Sequence, residues 1–290
     1  MFLRVVSIVF PIFLIVSVGF VYGRRHRPEM LAANQLNMSV FLPALIFSAL
    51  AAKTFALADN AQIAIGGAVV VLGSGLLAWP LAHVLGYQPK TLVPPVMFNN
   101  AGNMGLPLLA LAFGDQALGA AVVLLLVETL LQFSLGAWLL GGHFRVTMIW
   151  REPVIAAALL GLGVSLSGIT IWSPVMTASK LLGDISIGLM IFSLGVRLSA
   201  APLTNWTIGW VAAVATPVTG MLVAWLFGAL TGLEHRQMDI LFIFGALPPA
   251  VLNFIFAERY HQEPEKVAAI VVIGNAAALL FIPLALALRL

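Results

Sequence analysis

In 290 residues the chain carries 61% hydrophobic and 9% charged residues, with a mean hydropathy of +1.07. Too little polar surface is left to coat a water-soluble particle of that size, so lipid is the expected main solvent and a separate soluble domain is excluded. The net charge of +3 and pI near 9.6 do not point to nucleic acid, because the basic residues stand singly or in short loops between apolar runs, and the lack of cysteine excludes disulfides, thiol catalysis and cysteine-ligated metal.

A bilayer core of about 30 Å takes roughly 20 apolar residues per helix. Runs of that length between turn residues predict ten spans, at 5–23, 30–52, 61–86, 92–113, 116–142, 153–171, 175–197, 205–232, 239–258 and 266–288. The first begins like a signal peptide, with Arg4 before an apolar run, but no small-residue cleavage site follows and Arg24, Arg25 and Arg27 do, which predicts a retained helix. Alternating the loops puts Arg24, Arg25, Arg27, Lys90, Arg145, Arg151, Arg197, Arg259 and Lys266 on one side, against Arg4, Lys53, Lys180, Arg236 and Arg289 on the other. The positive-inside rule makes the first side cytoplasmic and places both termini outside, with a bacterial inner membrane as the expected location. Tyr22, Tyr87, Trp150, Trp172, Trp206 and Tyr260 fall near the ends of spans, where aromatic rings anchor to the interface.

The two halves match at an offset of about 145 residues: Ile46-Phe47-Ser48 against Ile191-Phe192-Ser193, Pro107 against Pro248 and Pro249, and Ala120-Ala121-Val122-Val123 against Ala268-Ala269-Ile270-Val271. Five spans per half is an odd number, so the second half enters the membrane from the opposite face. The expected fold is therefore all-α and integral to the membrane, ten helices in a 5+5 inverted repeat, residues 1–145 and 146–290, a recurrent plan of secondary transporters.

The fourth span contains Asn99-Asn100-Ala101-Gly102-Asn103-Met104-Gly105-Leu106-Pro107. Pro107 removes a backbone donor and each glycine costs about 1 kcal/mol relative to alanine, so an unwound crossover is expected, with a half-helix starting near Pro107. Its first N–H groups would carry partial positive charge near mid-depth, where Asn100 and Asn103 can donate to a carboxylate or accept from a cation. The alternative is a proline kink whose asparagines bond neighbouring helices. The ninth span repeats the device at Gly245-Ala246-Leu247-Pro248-Pro249, with Asn253 one turn on, and the carbonyls of Leu247 and Pro248 are expected to leave the helix toward the site.

Glu128 is the deepest carboxyl group in a span and a candidate carrier of a coupling proton, or else a neutral acid bonding a neighbouring helix; the repeat matches it to Asn275, as a polar pair behind the crossover. Asp184 has Lys180 one turn earlier, a spacing that allows a neutralising pair. Ser39 and Ser48 are helix-packing hydroxyls unless they face the crossover, Ser48 being the expected lining residue. The histidines, His26, His83, His143, His235 and His261, fall near helix ends and form no metal or nucleophile motif with carboxylates. Neither an enzyme nor a cofactor is expected.

Asn100-Ala101-Gly102-Asn103-Met104-Gly105-Leu106-Pro107-Leu108 with Ala112-Phe113-Gly114 resembles the fourth helix of the auxin efflux carrier family, in its bacterial branch. Leu247-Pro248-Pro249-Ala250 with Ala257-Glu258-Arg259-Tyr260 is similar to that family's ninth helix, and Leu181-Leu182-Gly183-Asp184 through Leu194-Gly195-Val196-Arg197 to its seventh. The resemblance implies a fold of the bile-acid/sodium symporter type. In it, spans one, two, six and seven form a scaffold and often a homodimer interface, while spans three to five and eight to ten move in an elevator-like motion. It further implies an organic anion as substrate, auxin in plant members and carboxylates such as malate or malonate in bacterial ones. Asn100, Asn103, Gly105 and Pro107 from the first half and Pro248, Pro249 and Asn253 from the second would form the site, with H+ or Na+ as coupling ion. Two departures stand out: the fifth span has Glu128 and lacks the polar Asn-Pro signature of plant members, and the tenth has Gly274-Asn275 where a Ser-Thr pair is expected.

Overall fold

A computed structural model describes residues 2–52, 55, 57–141, 152–199 and 205–289. Lys53, His143, Arg145, Trp150 and Arg151, counted above in loops, lie outside them. The described chain is helical throughout: α1 Phe2–His26, α2 Leu31–Leu50, α3 Leu57–Val84, α4 Pro89–Met97, α5 Ala101–Phe113, α6 Asp115–Gly141, α7 Pro153–Ser167, α8 Ser173–Ser199, α9 Trp206–Thr231, α10 His235–Gly245, α11 Leu252–Arg259 and α12 Pro264–Arg289.

Seven of these, α1, α2, α3, α6, α8, α9 and α12, are long and apolar enough to cross a bilayer. The apolar run at 92–113 is divided between α4 and α5, that at 239–258 between α10 and α11, and that at 153–171 yields α7, which stops at Ser167. Pro11, Pro80, Pro217 and Pro283 sit inside long helices, as membrane helices tolerate when neighbours satisfy the freed carbonyl.

Packing falls into two groups, since α1 runs along α8 while α7 and α8 cover α2, and α3, α4, α6, α9, α10 and α12 pack among themselves. Lipid tails are as apolar as leucine, so association inside the bilayer depends on dispersion and close approach rather than on expelled water. Gly220 of α9 and Gly245 at the end of α10 provide one such approach: a Cβ on either would overlap the other's backbone.

Side-chain bonds sort the loops onto two ends of the bundle. At one end Lys90 Nζ donates to the Leu140 carbonyl and Thr91 Oγ1 to Glu263 Oε2 at 2.6 Å. At the other, Lys180 pairs with Asp115, Arg236 with Gln116 and the Phe113 carbonyl, Gln237 with the Asp59 carbonyl, and Arg289 with Asp239. The start of α1 lies at this second end as well, because α1 packs parallel to α8 through Gly19 against Phe192 and Gly23 against Ser199.

Candidate functional site

The two divided helices cross at their breaks. Pro94 and Pro95 weaken the last turn of α4, which ends in an extended Phe98, while Pro248 and Pro249 lack the donors that would continue α10 past Gly245. Residues 98–100 and 248–250 then pair as a short antiparallel bridge centred on Asn99 and Pro249. Asn100 N–H donates to the Pro248 carbonyl at 2.7 Å and Ala250 N–H to the Phe98 carbonyl at 3.0 Å, so the prolines stand where the pairing asks for no donor.

The unwound stretch is shorter than the sequence suggests and lies upstream of Pro107. The chain re-enters a helix at Ala101 as a π turn, Ala101–Gly105, and Pro107 sits at the second position of the α-helical part, where its missing N–H is harmless. Gly105 packs against the partner break: a Cβ there would meet Leu247 Cδ1 at 2.8 Å. The Pro248 carbonyl, expected toward the site, is taken up by the crossover itself.

Amide side chains knit the breaks together. Asn99 Nδ2 donates to the Phe244 carbonyl at 2.8 Å, satisfying an end carbonyl of α10. Asn253 Nδ2 donates to the Phe98 carbonyl at 2.9 Å and its Oδ1 accepts from Gln132 Nε2 at 3.1 Å. Asn100 Nδ2 donates to Asn275 Oδ1 at 3.0 Å, and Asn275 Nδ2 donates to the Pro249 and Val271 carbonyls at 3.0 and 2.7 Å. Asn100, Asn253 and Asn275 are thus buried and hydrogen-bonded at the crossover, and Asn275 pairs with Asn100, not with Glu128.

A cavity of about 530 Å³ opens against the crossover. Asn99, Asn100, Asn103 and Glu128 line it from one side, and Asn34, Ser39 and Arg197 from α2 and α8. All three π turns of the described chain, at Asn37–Phe41, Ala101–Gly105 and Gln132–Gly136, contribute to its wall; such turns shift carbonyls and side chains off the helical register and recur at functional sites. Asn103 is half-buried and has no partner among the described residues. Among the described residues no hydrogen-bond donor meets Asn99 Oδ1 or either oxygen of Glu128, although Glu128 faces the backbone amides of Asn99 and Ala101. Glu152, at the start of α7 beside the same cavity, has its carboxyl pushed up from the ordinary value by burial.

Ser48 and Asp184 lie elsewhere. Both line a second cavity of about 600 Å³ nearer the other end of the bundle. Ser48 Oγ is bonded back to its own Leu45 carbonyl at 2.9 Å, and Ser39 is the α2 serine at the crossover cavity. The expected Lys180–Asp184 pair is not formed: Lys180 Nζ reaches across to Asp115 Oδ2 at 2.6 Å, a geometry that spacing along α8 cannot reveal. Sequence reasoning also passed over Arg197, counted as a loop charge because it stands in the last turn of its helix, and Gln132, one turn beyond Glu128 and findable by that spacing.

A family model described as "Membrane transport protein" matches residues 4–143 and 138–286, nearly the whole chain. The chain belongs to this membrane transport family, that of the auxin efflux carriers. Auxin efflux carrier component 2 of Oryza sativa subsp. japonica is 27% identical over 143 residues, covering 46% of this transport protein and 23% of the relative. The Arabidopsis thaliana component 2 is 26% identical over 144 residues (46% and 22%), and the Arabidopsis thaliana component 6 is 28% identical over 137 residues (43% and 23%). The match with each thus spans under a quarter of that relative's length. Membership agrees with the apolar helices in making the chain an integral membrane transport protein.

Proposed function

We propose that this protein is a secondary active transporter of small organic anions. Counting α4 with α5 and α10 with α11 as single spans, it has ten, arranged as inverted repeats 1–145 and 146–290. In this reading α1, α2, α7 and α8 form a fixed scaffold that also mediates homodimerisation, and α3–α6 with α9–α12 carry the substrate in an elevator-like step. Two cavities between these groups, reaching toward opposite ends, support alternating access.

The observation that carries the reading is the crossover itself: two helix N-termini, of α5 and α11, meet at a break beside a cavity in which the Asn103 amide has no partner among the described residues. The first turns of two helices carry partial positive charge that favours a carboxylate. The relatives' names point to an organic acid, and by the resemblance malate, malonate or an auxin-like acid is the substrate. The basic end faces the cytoplasm of a bacterial inner membrane and both termini face outward.

Glu128 carries the coupling proton. A sodium-coupled mechanism is the second reading, favoured by the unpartnered acceptors Asn99 Oδ1 and Glu128, hard oxygen ligands on one cavity wall. The test is thermal stability of the purified protein against carboxylates, indole acids and bile acids, with and without sodium and at two pH values, followed by flux into sealed vesicles. Stabilisation by a carboxylate, abolished in Asn103→Ala and accompanied by flux, supports the proposal. Stabilisation by sodium alone favours the second reading, and binding without flux makes the protein a membrane ligand sensor.

A further inference from the structure

Among the described residues the crossover cavity is lined by a single basic side chain, Arg197, in the last turn of α8. Its guanidinium has no hydrogen-bond or ion-pair partner among those residues. None of the residues outside the description is acidic, so each of the chain's 11 carboxylate side chains is placed and none neutralises Arg197. The two carboxyl groups of the same cavity, Glu128 and Glu152, both stand outside ion-pair distance of it. Lys180, the basic residue of the second cavity and nearly five turns further toward the start of the same helix, is by contrast held by Asp115.

A guanidinium that gives up hydration and gains no anion is disfavoured, and the disfavour is relieved when an anion arrives. Its planar fork matches a carboxylate with two parallel N–H···O bonds, which an ammonium cannot copy. Its position suits recruitment, because a positive charge on a cavity wall raises the local concentration of anions. It stands in the last turn of α8, the end of a helix dipole that favours a cation.

We infer that Arg197 recruits and selects the anion, presenting a fixed positive charge on the α8 wall to a carboxylate that enters the cavity facing the crossover. The inference rests on the anion-transport reading above. It makes Arg197 a specificity-determining residue: anions are taken and neutral molecules of the same shape are not.

The test uses the full chain in detergent, with malonate as probe. In thermal-shift titrations Arg197→Gln weakens malonate about tenfold or more, the scale of one lost charge-assisted pair, and Arg197→Lys recovers only part of the loss. Wild-type affinity in a folded Arg197→Gln protein overturns the inference and leaves the transport reading intact. In a second arm, wild-type protein is treated with phenylglyoxal and modification at Arg197 is mapped by mass spectrometry. Protection of Arg197 by malonate, or by sulfate if malonate does not stabilise the protein, supports an anion site at this residue even should the carboxylate reading fail. Modification at an unchanged rate in the presence of both anions overturns it.

Discussion

Asn253, in the first turn of α11, donates from Nδ2 to the Phe98 carbonyl at 2.9 Å while its Oδ1 accepts from Gln132 at 3.1 Å. One amide thereby joins both divided helices to α6 at a buried point. Asn253→Leu strands the Gln132 donor and removes one bond from the Phe98 carbonyl, a loss of about 1–3 kcal/mol. Thermal unfolding in detergent is expected to fall accordingly. Asn103→Ala, by contrast, leaves unfolding nearly unchanged and abolishes stabilisation by ligand. An equal drop in both variants would show that Asn103 is structural too.

Gly220 and Gly245 touch backbone to backbone where α9 meets the end of α10. A methyl group on either has only main chain to displace, and overpacking of that kind costs about 1–3 kcal/mol. Gly220→Ala and Gly245→Ala are expected to lower thermal stability and yield, and the double variant to do no worse than the sum. Wild-type stability in either variant would mean that the helices slide apart at no cost.

Lys180 and Asp115 pair at 2.6 Å but are 55% and 72% exposed, so solvent screens the attraction. A double-mutant cycle on stability should give a coupling under about 1 kcal/mol that shrinks with added salt. The pair links α8 to α6 across the second cavity, so its effect is expected in transport: Lys180→Ala changes the rate of malonate exchange more than it changes unfolding. Unaltered exchange would exclude a gating role.

Glu263 accepts from Thr91 Oγ1 at 2.6 Å and pairs with Lys266, and these bonds hold its carboxyl below the ordinary glutamate value. A depressed folded-state value means that its contribution is present above the unfolded value, roughly pH 4.3, and is lost as pH falls through the lower folded one. Stability measured downward from pH 5 should therefore decline less steeply in Glu263→Gln than in the wild type. Parallel curves would show that the pair, which is partly exposed, contributes nothing to folding.

Glu128 meets no hydrogen-bond donor among the described residues and lines the crossover cavity. Under proton coupling, Glu128→Gln keeps carboxylate binding but loses uptake driven by a pH gradient in vesicles. Retention of gradient-driven uptake with unchanged pH dependence would remove Glu128 from the coupling step.

How far the site was legible is clear from particular residues. The breaks were visible because proline lacks an N–H whatever surrounds it, and Pro107, Pro248 and Pro249 mark their neighbourhood. Their position was not: the unwound residues are 98–100, upstream of Pro107, since a π turn at Ala101 absorbs the glycines. Polarity at mid-depth singled out Asn100, Asn103, Glu128, Asn253 and Asn275, but not which of them the crossover would occupy and which the cavity would keep.

Composition and run length by themselves determined that the chain lives in lipid as a set of helices, because each apolar run must satisfy its own backbone bonds there. Tertiary structure alone decided the partners of side chains far apart in sequence. Asn100 is assigned to Asn275 and Lys180 to Asp115, Ser48 is turned from the crossover to the second cavity, and Arg197 is left on the wall of the first with no partner among the described residues. Hydropathy and helical periodicity describe one helix in its solvent, whereas hydrogen bonds and charges in a bilayer are settled by whichever neighbouring helix reaches them first.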